Sequence, residues 1–571
     1  MLVVYTYTTM AIHKVKRGDK VYLSEYKKVR EGKKVKSIFV RYIGPEDQIK
    51  EGKKPKRVLD RIQMSRSHRA GDVRLLWKIA EDLDFINIVD RICCGESYIE
   101  GPSPAKFLTV WAINRVIDPE SCTQLERWVK TTDLPLLAGI EPELFTKDAF
   151  LSSLDFVCRH DSSSNRLVDY TTSIDDALYR HRRKMCPLPP GENETVAYDL
   201  TSILFFGVSC PLAVLGRNAK HVKRHQVNLA LLVSKYDKSP IAHFVYSGNR
   251  KDASTVKNLL ARLDETKIRP GTLIWDRGNV SEEHVKMVES ADWKLICGVP
   301  KSSNEVVDII DNTDIQSVPT TFVQKTRLGH IYAMKSSGPL FGRNRSVVIY
   351  LNQDRQMKKI NATNEVLAEI GNKLSELGET GKKLSEAELH ERIDKIVGSW
   401  EDYVRTRVKR KGNGPRIDWK YKDKKIASLE STYAKYVLLS TDESLSVKEV
   451  VKGYFEKDFI EKVFRTLKTH EEIEPVRHRL EHRVRAYMFI CVLAYRLLSA
   501  LQFKFEEAKG KECPWEQTFD LLQELGRVER TEVGFGNEVK TWYLNVTKSI
   551  SDELKKIKMK DLLKEEIILK M

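Results

Sequence analysis

The sequence predicts an α/β (α+β) protein with a mixed-sheet core, interrupted by a large insertion and preceded by a β-hairpin and a helical region. Three observations carry this. Strand-like and helix-like runs alternate over 195–299, with at least one β-α-β step. The same character resumes at 433–439, after the less regular span 305–430. Residues 13–43 read as two alternating runs around the Gly32-Lys33 turn, the pattern of a hairpin.

Taken in order, Lys20 to Tyr26 and Val35 to Tyr42 are the hairpin strands. From 71 to 185 the apolar spacing is helical, as in Val73, Leu76, Ile79 and Ala80, with a break at Gly101-Pro102-Ser103-Pro104. Pro187 to Gly191 is a linker. Thr195 to Leu200, Ile203 to Val208, Val227 to Val233 and Ile241 to Tyr246 are strand candidates. A helix over Asp252 to Leu263 precedes a short buried strand, Thr272 to Trp275. A helix from Ser281 and a strand from Lys294 to Val299 follow. The insertion holds a strand, Ser346 to Leu351, and a polar helical stretch, Asn364 to Val397. Tyr433 to Leu439 returns to the core as a strand, followed by long helices over Leu445 to Leu467 and Arg477 to Phe503. The tail reads as charged and helical. The chain thus divides into 1–70, 71–190, 191–304, 305–430, 431–505 and 506–571.

Composition narrows the function. The chain has 571 residues, 41% of them hydrophobic, enough for packed cores and against disorder throughout. The longest apolar run, Ala486 to Tyr495, stops at Arg496, so no membrane span is expected. Nine scattered cysteines without a CxxC fit neither a disulfide framework nor a zinc ribbon, and suit a reducing cytosol. The net charge is +17. Residues 1–70 carry 19 Lys+Arg against 7 Asp+Glu, and Arg405 to Lys425 carries ten against two. Such clusters attract phosphate backbones, although a single cluster is as readily a solvated surface. Short helices beside a basic hairpin suit a DNA-binding region, and a generic helical domain gives the same pattern.

Asp199 and Asp276 each stand at a strand end, in Tyr198-Asp199-Leu200-Thr201 and Trp275-Asp276-Arg277-Gly278. There a carboxylate is exposed to ligands and metals, or simply caps a turn. On one continuous helix Tyr454, Lys457, Glu461 and Lys468 would share an arc of about 60° at 100° per residue. Ile460, Val463, Phe464 and Leu467 would form the adjoining buried face. An amphipathic helix with an i,i+4 Lys–Glu pair reads the same way.

Tyr454-x2-Lys457-x3-Glu461-x6-Lys468 resembles the Y-x2-R-x3-E-x6-K signature of DDE insertion-sequence transposases of prokaryotes. The likeness is to the large group often called family four, which carries an insertion before its glutamate. The phrases around Asp199 and Asp276 resemble its two aspartate motifs. The separations, 276 − 199 = 77 and 461 − 276 = 185, leave room for that insertion. The signature arginine is Lys457 here, which keeps the charge and loses the bidentate fork.

The resemblance implies a ribonuclease-H-like fold in which Asp199, Asp276 and Glu461 hold two Mg²⁺ ions, with Mn²⁺ able to substitute. It implies cleavage at terminal inverted repeats and strand transfer into target DNA, generally by a homodimer on paired ends. Tyr454, Lys457 and Lys468 would contact DNA phosphates, joined by the basic residues Arg465, Arg477 and Arg483. A cytoplasmic, nucleoid-associated place follows from that role. A metal nuclease that never joins strands, and an inactive DNA-binding relic, are the alternatives. His221/His225 and His478/His482 are spaced i,i+4 but lie among Lys and Arg, which repel a metal. No Gly-x4-Gly-Lys loop supports ATP-driven chemistry, and no Gly-x-Ser-x-Gly elbow supports a serine nucleophile.

Overall fold

The computed structural model describes residues 9–18, 20–31, 34–47, 63–64, 66–95, 101–161, 163–164, 166–207, 209–216, 218, 222–250, 252–313, 321–326, 329–381, 384–410, 415–535, 538–564 and 567–569. The chain forms two compact units. One comprises Met1–His68, Val528–Val546 and Leu563–Met571, and the other Arg69–Arg527 and Thr547–Leu562.

The first unit is built of strands. Thr9–Arg17, Lys20–Glu31 and Lys34–Pro45 form an antiparallel three-stranded sheet, one strand more than the sequence hairpin. The turn residues Gly32 and Lys33 lie outside the described residues. The tail supplies Glu529–Phe535, Glu538–Leu544 and Ile567–Leu569, where the sequence led us to expect helix. Thr531, Val533, Val539 and Thr541 are buried at alternate positions, so the β-branched residues there serve a sheet face. Pairing of Gly534 with Gln63 and of Val533 with Met64 completes that sheet across most of the chain length, a contact no local pattern reveals.

The second unit begins with helices, among them Gly71–Asp82, Pro104–Ile117, Lys147–Val157 and Thr171–Met185. Its centre is a ten-stranded mixed sheet. We label nine of these strands β1 (Thr195–Leu204), β2 (His225–Ser234), β3 (Pro240–Ser247), β4 (Thr272–Trp275), β5 (Lys294–Val299), β6 (Thr321–Thr326), β7 (Gly329–Leu340), β8 (Arg343–Asn352) and β9 (Lys435–Ser440). Their order is β3-β2-β1-β4-β5-β9-β8-β7-β6, with β1, β4 and β5 parallel and the other neighbours antiparallel. β1 is one strand where the sequence reading has two, because no Gly or Pro interrupts Leu200 to Ile203.

Helices cover both faces. Val256–Glu265 (α1), Glu282–Ser290 (α2) and Asn304–Asp311 (α3) bury Leu259, Val285 and Ile309 on one face, against Tyr198, Trp275, Cys297 and Leu439. Alternate residues of the same strands, Ile274, Ile296 and Leu438, meet Val450, Val451 and Tyr454 on the other. Burial on both faces explains why these strands read as continuous apolar runs. The architecture is consistent with the ribonuclease-H-like core that the resemblance implies.

The span 305–430 divides in two. β6, β7 and β8 extend the central sheet. The helices Gln353–Thr380 (α4), Glu386–Val397 and Asp423–Ser431 and the hairpin Val404–Arg410 with Pro415–Tyr421 make the rest, around Leu374, Leu389, Ile393 and Val404. The polar stretch from Asn364 breaks because Ser385 and Glu388 form a capping box that starts a new helix. Gly412, Asn413 and Gly414 lie outside the described residues.

Val447–Glu456 (α5), Asp458–Thr469 (α6) and Glu481–Lys509 (α7) follow. By length and composition α7 could cross a membrane, but 94% of its apolar window is buried inside the protein. It packs against Pro104–Ile117 and Lys147–Val157. Arg496, in the middle of this helix, donates to Asp175 at 2.7 Å, and Asp175 also lies 2.7 Å from Nδ1 of His243 on β3. A cation is tolerated at the core helix because it is paired there.

Candidate active site

β1 and β4 run parallel in constant register, with Tyr198 beside Trp275. The next residues are Asp199 and Asp276. Asp276 keeps an extended backbone (φ −84°, ψ 164°), so the two aspartates stand abreast on neighbouring strands, which lie about 4.8 Å apart. Tyr198 and Trp275 point into the core beneath α1 to α3. Side chains alternate along a strand, so both aspartates face the α5 side. Asp199 also accepts from its own neighbour, the Leu200 amide, at 2.8 Å. Asp276 accepts from the Arg277 amide at 2.8 Å and caps the turn Arg277–Asn279. The turn-capping reading and the exposed-carboxylate reading of Asp276 thus both describe it.

The helix over Leu445 to Leu467 is two helices. α5 ends at Glu456, Lys457 caps it with φ −55° and ψ −19°, and α6 starts at Asp458. The Lys457 amide bonds to the Tyr454 carbonyl at 3.3 Å, a tightened last turn just after Gly453. The bend lets α5 lie over β4, β5 and β9 while α6 lies over β1.

The four residues of the motif therefore separate into two sets. Tyr454 donates its hydroxyl to Asp276 Oδ1 at 2.9 Å. Lys457 Nζ stands 3.7 Å from Asp276 Oδ1 and 3.7 Å from Glu461 Oε1, joining the two carboxylates. Lys468, two turns further on, donates to Thr201 Oγ1 at 2.8 Å. Thr201 lies on β1 two residues beyond Asp199 and so shares its face.

Burial alone would raise the Asp276 pKa. Lys457, the Arg277 amide and the Tyr454 hydroxyl outweigh burial and hold the carboxyl below its ordinary value. Burial and the Asp276 charge push the Tyr454 phenol far up, so it stays a proton donor.

Gly298 on β5 makes this contact possible. A Cβ there would stand 2.7 Å from the Tyr454 hydroxyl and 3.1 Å from its ring. Sequence reading missed Gly298 and Thr201. A lone Gly inside a strand hints at a close approach, but what approaches is decided by the fold.

Glu461 is exposed, its side chain 57% accessible. The donors Asp199, Asp276 and Glu461 are hard oxygens of the type Mg²⁺ prefers. Among the described residues, however, no three carboxylate, imidazole or thiol groups are gathered closely enough to hold a metal ion. The register sets Asp199 and Asp276 side by side, and Glu461 is linked to Asp276 through Lys457.

The other candidates have varied surroundings. Arg465 is exposed on α6, and Arg477 is exposed on the segment before α7. Arg483 binds Asp155 through two nitrogens, at 2.8 and 2.6 Å, so its charge is balanced within the protein. His478 and His482 do not act as a pair. Burial holds His478 neutral, with its pKa lowered to about 4, beside Trp111 and Tyr487, whereas His482 lies 3.1 Å from Asp155. His225 begins β2, so helical spacing does not apply to it, and His221 lies outside the described residues.

Residues 194–497 match the family model described as "Transposase DDE domain". Among solved structures, the chain is similar to a piggyBac transposase synaptic complex with hairpin DNA. The identity is 11% and the TM-score 0.39, over 81% of this chain and 82% of that one. No curated protein matches the chain.

Proposed function

We propose, from the premise that this chain belongs to the transposase DDE-domain family, that it binds the terminal inverted repeats of an insertion sequence and cleaves and joins DNA there. The observation that carries this is the register of β1 and β4, which sets Asp199 and Asp276 abreast, with Glu461 joined to Asp276 through Lys457. Asp199, Asp276 and Glu461 would hold two Mg²⁺ ions, or Mn²⁺, which when bound activate water and stabilise a leaving oxyanion.

The chain's own residues do the rest. Tyr454 and Lys457 keep Asp276 ionised and fixed in direction. Lys457, Lys468, Arg465 and Arg477 offer positive charge to the phosphates of the element end. Water first adds to the scissile phosphorus and the 3′-oxygen leaves, taking up a proton. That 3′-hydroxyl then adds to a target phosphodiester, and one bond forms for one broken. We infer a homodimer on paired ends, acting on cytoplasmic, nucleoid-associated DNA.

A second reading is a DNA-binding relic without chemistry. It is favoured by the absence, among the described residues, of an assembled three-ligand metal site. A nuclease that cuts without joining is the third.

One reaction separates them. The full chain is incubated with its own gene and flanking DNA, with Mg²⁺ or EDTA, beside Asp276→Ala, and the 3′ ends are mapped. Metal-dependent cuts at paired inverted ends, absent in Asp276→Ala, are expected. Cuts without paired ends favour the nuclease. Binding without cuts in either condition favours the relic.

A further inference from the structure

A cavity of about 650 Å³ opens beside Asp276. Asp276, Arg277 and Lys457 are among its lining residues, as are Lys301, Asn352 and Arg355. The Lys301 amine donates to the Thr432 carbonyl at 2.6 Å and lies 5.0 Å from the Tyr436 ring. Arg355 is the third residue of the 28-residue helix α4, whose cap Asn352 accepts from the Arg355 amide at 2.9 Å. Lys359 follows one turn later, 5.5 Å from the Tyr433 ring. Lys435 on β9 is buried at 6% exposure.

Four cations thus gather at the positive end of a long helix dipole, where acidic residues are usually favoured. The crowding has a measurable sign. Burial, then Lys359, Lys435 and Arg355, push the Lys301 pKa down to about 8. Among the described residues, two nearby acids already have partners of their own. Asp354, in the first turn of α4, is 3.2 Å from both the His330 amide and the His330 ring. Asp276 is held by Tyr454 and Lys457. Among the described residues, the other carboxylate lining the cavity is Asp458. An anion seated here would relieve the repulsion, receive the α4 amides and continue directly from Asp276.

We propose that Lys301, Arg355 and Lys359 form a phosphodiester-binding site for the DNA strand that runs past Asp276. This rests on the transposase reading and adds a strand path that the motif residues do not provide. The site lies on the side of Asp276 away from Lys468, so phosphates are held on both sides of the scissile bond.

The test measures equilibrium binding of the full chain to a labelled duplex, an element end with its flank, across a KCl series. Wild type is compared with Arg355→Gln/Lys359→Gln, both exposed and expected to fold. The control is Lys373→Gln/Lys395→Gln, which removes equal charge from lysines paired with Glu369 and Glu391. The site variant should bind roughly tenfold more weakly at moderate salt, with a log–log salt slope shallower by about 1.8 for two lost contacts. The control should stay near wild type. Independently, DNA should protect Lys301 and Lys359 from acetylation by acetic anhydride, read by mass spectrometry.

An unchanged slope in the site variant, with a wild type that cleaves DNA, overturns the site and leaves the transposase reading standing. An equal loss in the control, or no protection of Lys301, overturns the site as well. A wild type that binds no DNA at any salt overturns both.

Discussion

The Tyr454 hydroxyl and the Lys457 ammonium both address Asp276, at 2.9 and 3.7 Å. Both favour the ionised carboxylate, against the opposing effect of burial. Tyr454→Phe removes the neutral donor and keeps the ring. The Asp276 pKa should then rise, so the acidic limb of the cleavage pH–rate profile should move to higher pH. Stability should change by no more than about 0.5–1.5 kcal/mol, as for one hydrogen bond. An acidic limb unmoved in Tyr454→Phe would mean that Asp276 is not the group titrating there. Lys457 keeps the charge of the signature arginine without its fork, so it reaches Asp276 and Glu461 as a point charge between them.

Elements set the distances that those side chains exploit. Strand β5 and helix α5 approach closely because Gly298 leaves space for the Tyr454 ring. Gly298→Ala would put a methyl within 2.7 Å of the hydroxyl, and the phenol must move off Asp276. We therefore expect Gly298→Ala to reproduce the pH–rate shift of Tyr454→Phe, with a normal circular dichroism spectrum. A variant with the wild-type profile would show that α5 yields as a body instead. The break at Lys457 acts at the same scale. It brings Glu461 to the Asp276 side and sends Lys468 to Thr201, where one straight helix would have kept both on one line.

In the second unit as a whole, one buried network ties three parts of the chain. Asp175, from the helix Thr171–Met185, holds His243 of β3 and Arg496 of α7. Burial opposes its charge, and His243 and Arg496 overcome that and lower its pKa. Asp175→Ala leaves both partners buried without their carboxylate, Arg496 keeping only the Ile241 carbonyl at 3.3 Å, and should cost about 3–5 kcal/mol, read by chemical denaturation. A loss below about 1 kcal/mol would show that water replaces the pairing.

Much of this protein was legible in local sequence. The strand end at Asp276, the β-α-β order and the Tyr454-to-Lys468 spacing are local signals, set by period-2 and period-3.6 patterns and by turn residues, whereas Asp199, read as a strand end, lies inside β1, which runs on to Leu204. The transposase family model matches the span that holds those residues. Other features need partners distant in the chain. Strands β6 to β8 read as part of an insertion, and only the pairing of β8 with β9 joins them to the central sheet. The tail strands pair chiefly with one another and gain an edge from Gln63 and Met64, far off in the chain. Gly298 and Thr201 matter only because Tyr454 and Lys468 arrive beside them. Lys301 and Arg355 are unremarkable cations in sequence and come to line one cavity when β8 and β9 pair. The sequence by itself determined which residue types stand at strand ends and along helix faces, because backbone geometry repeats over a few residues. Only the tertiary structure decided which of them share a space, because register, helix breaks and desolvation arise from contacts across hundreds of residues.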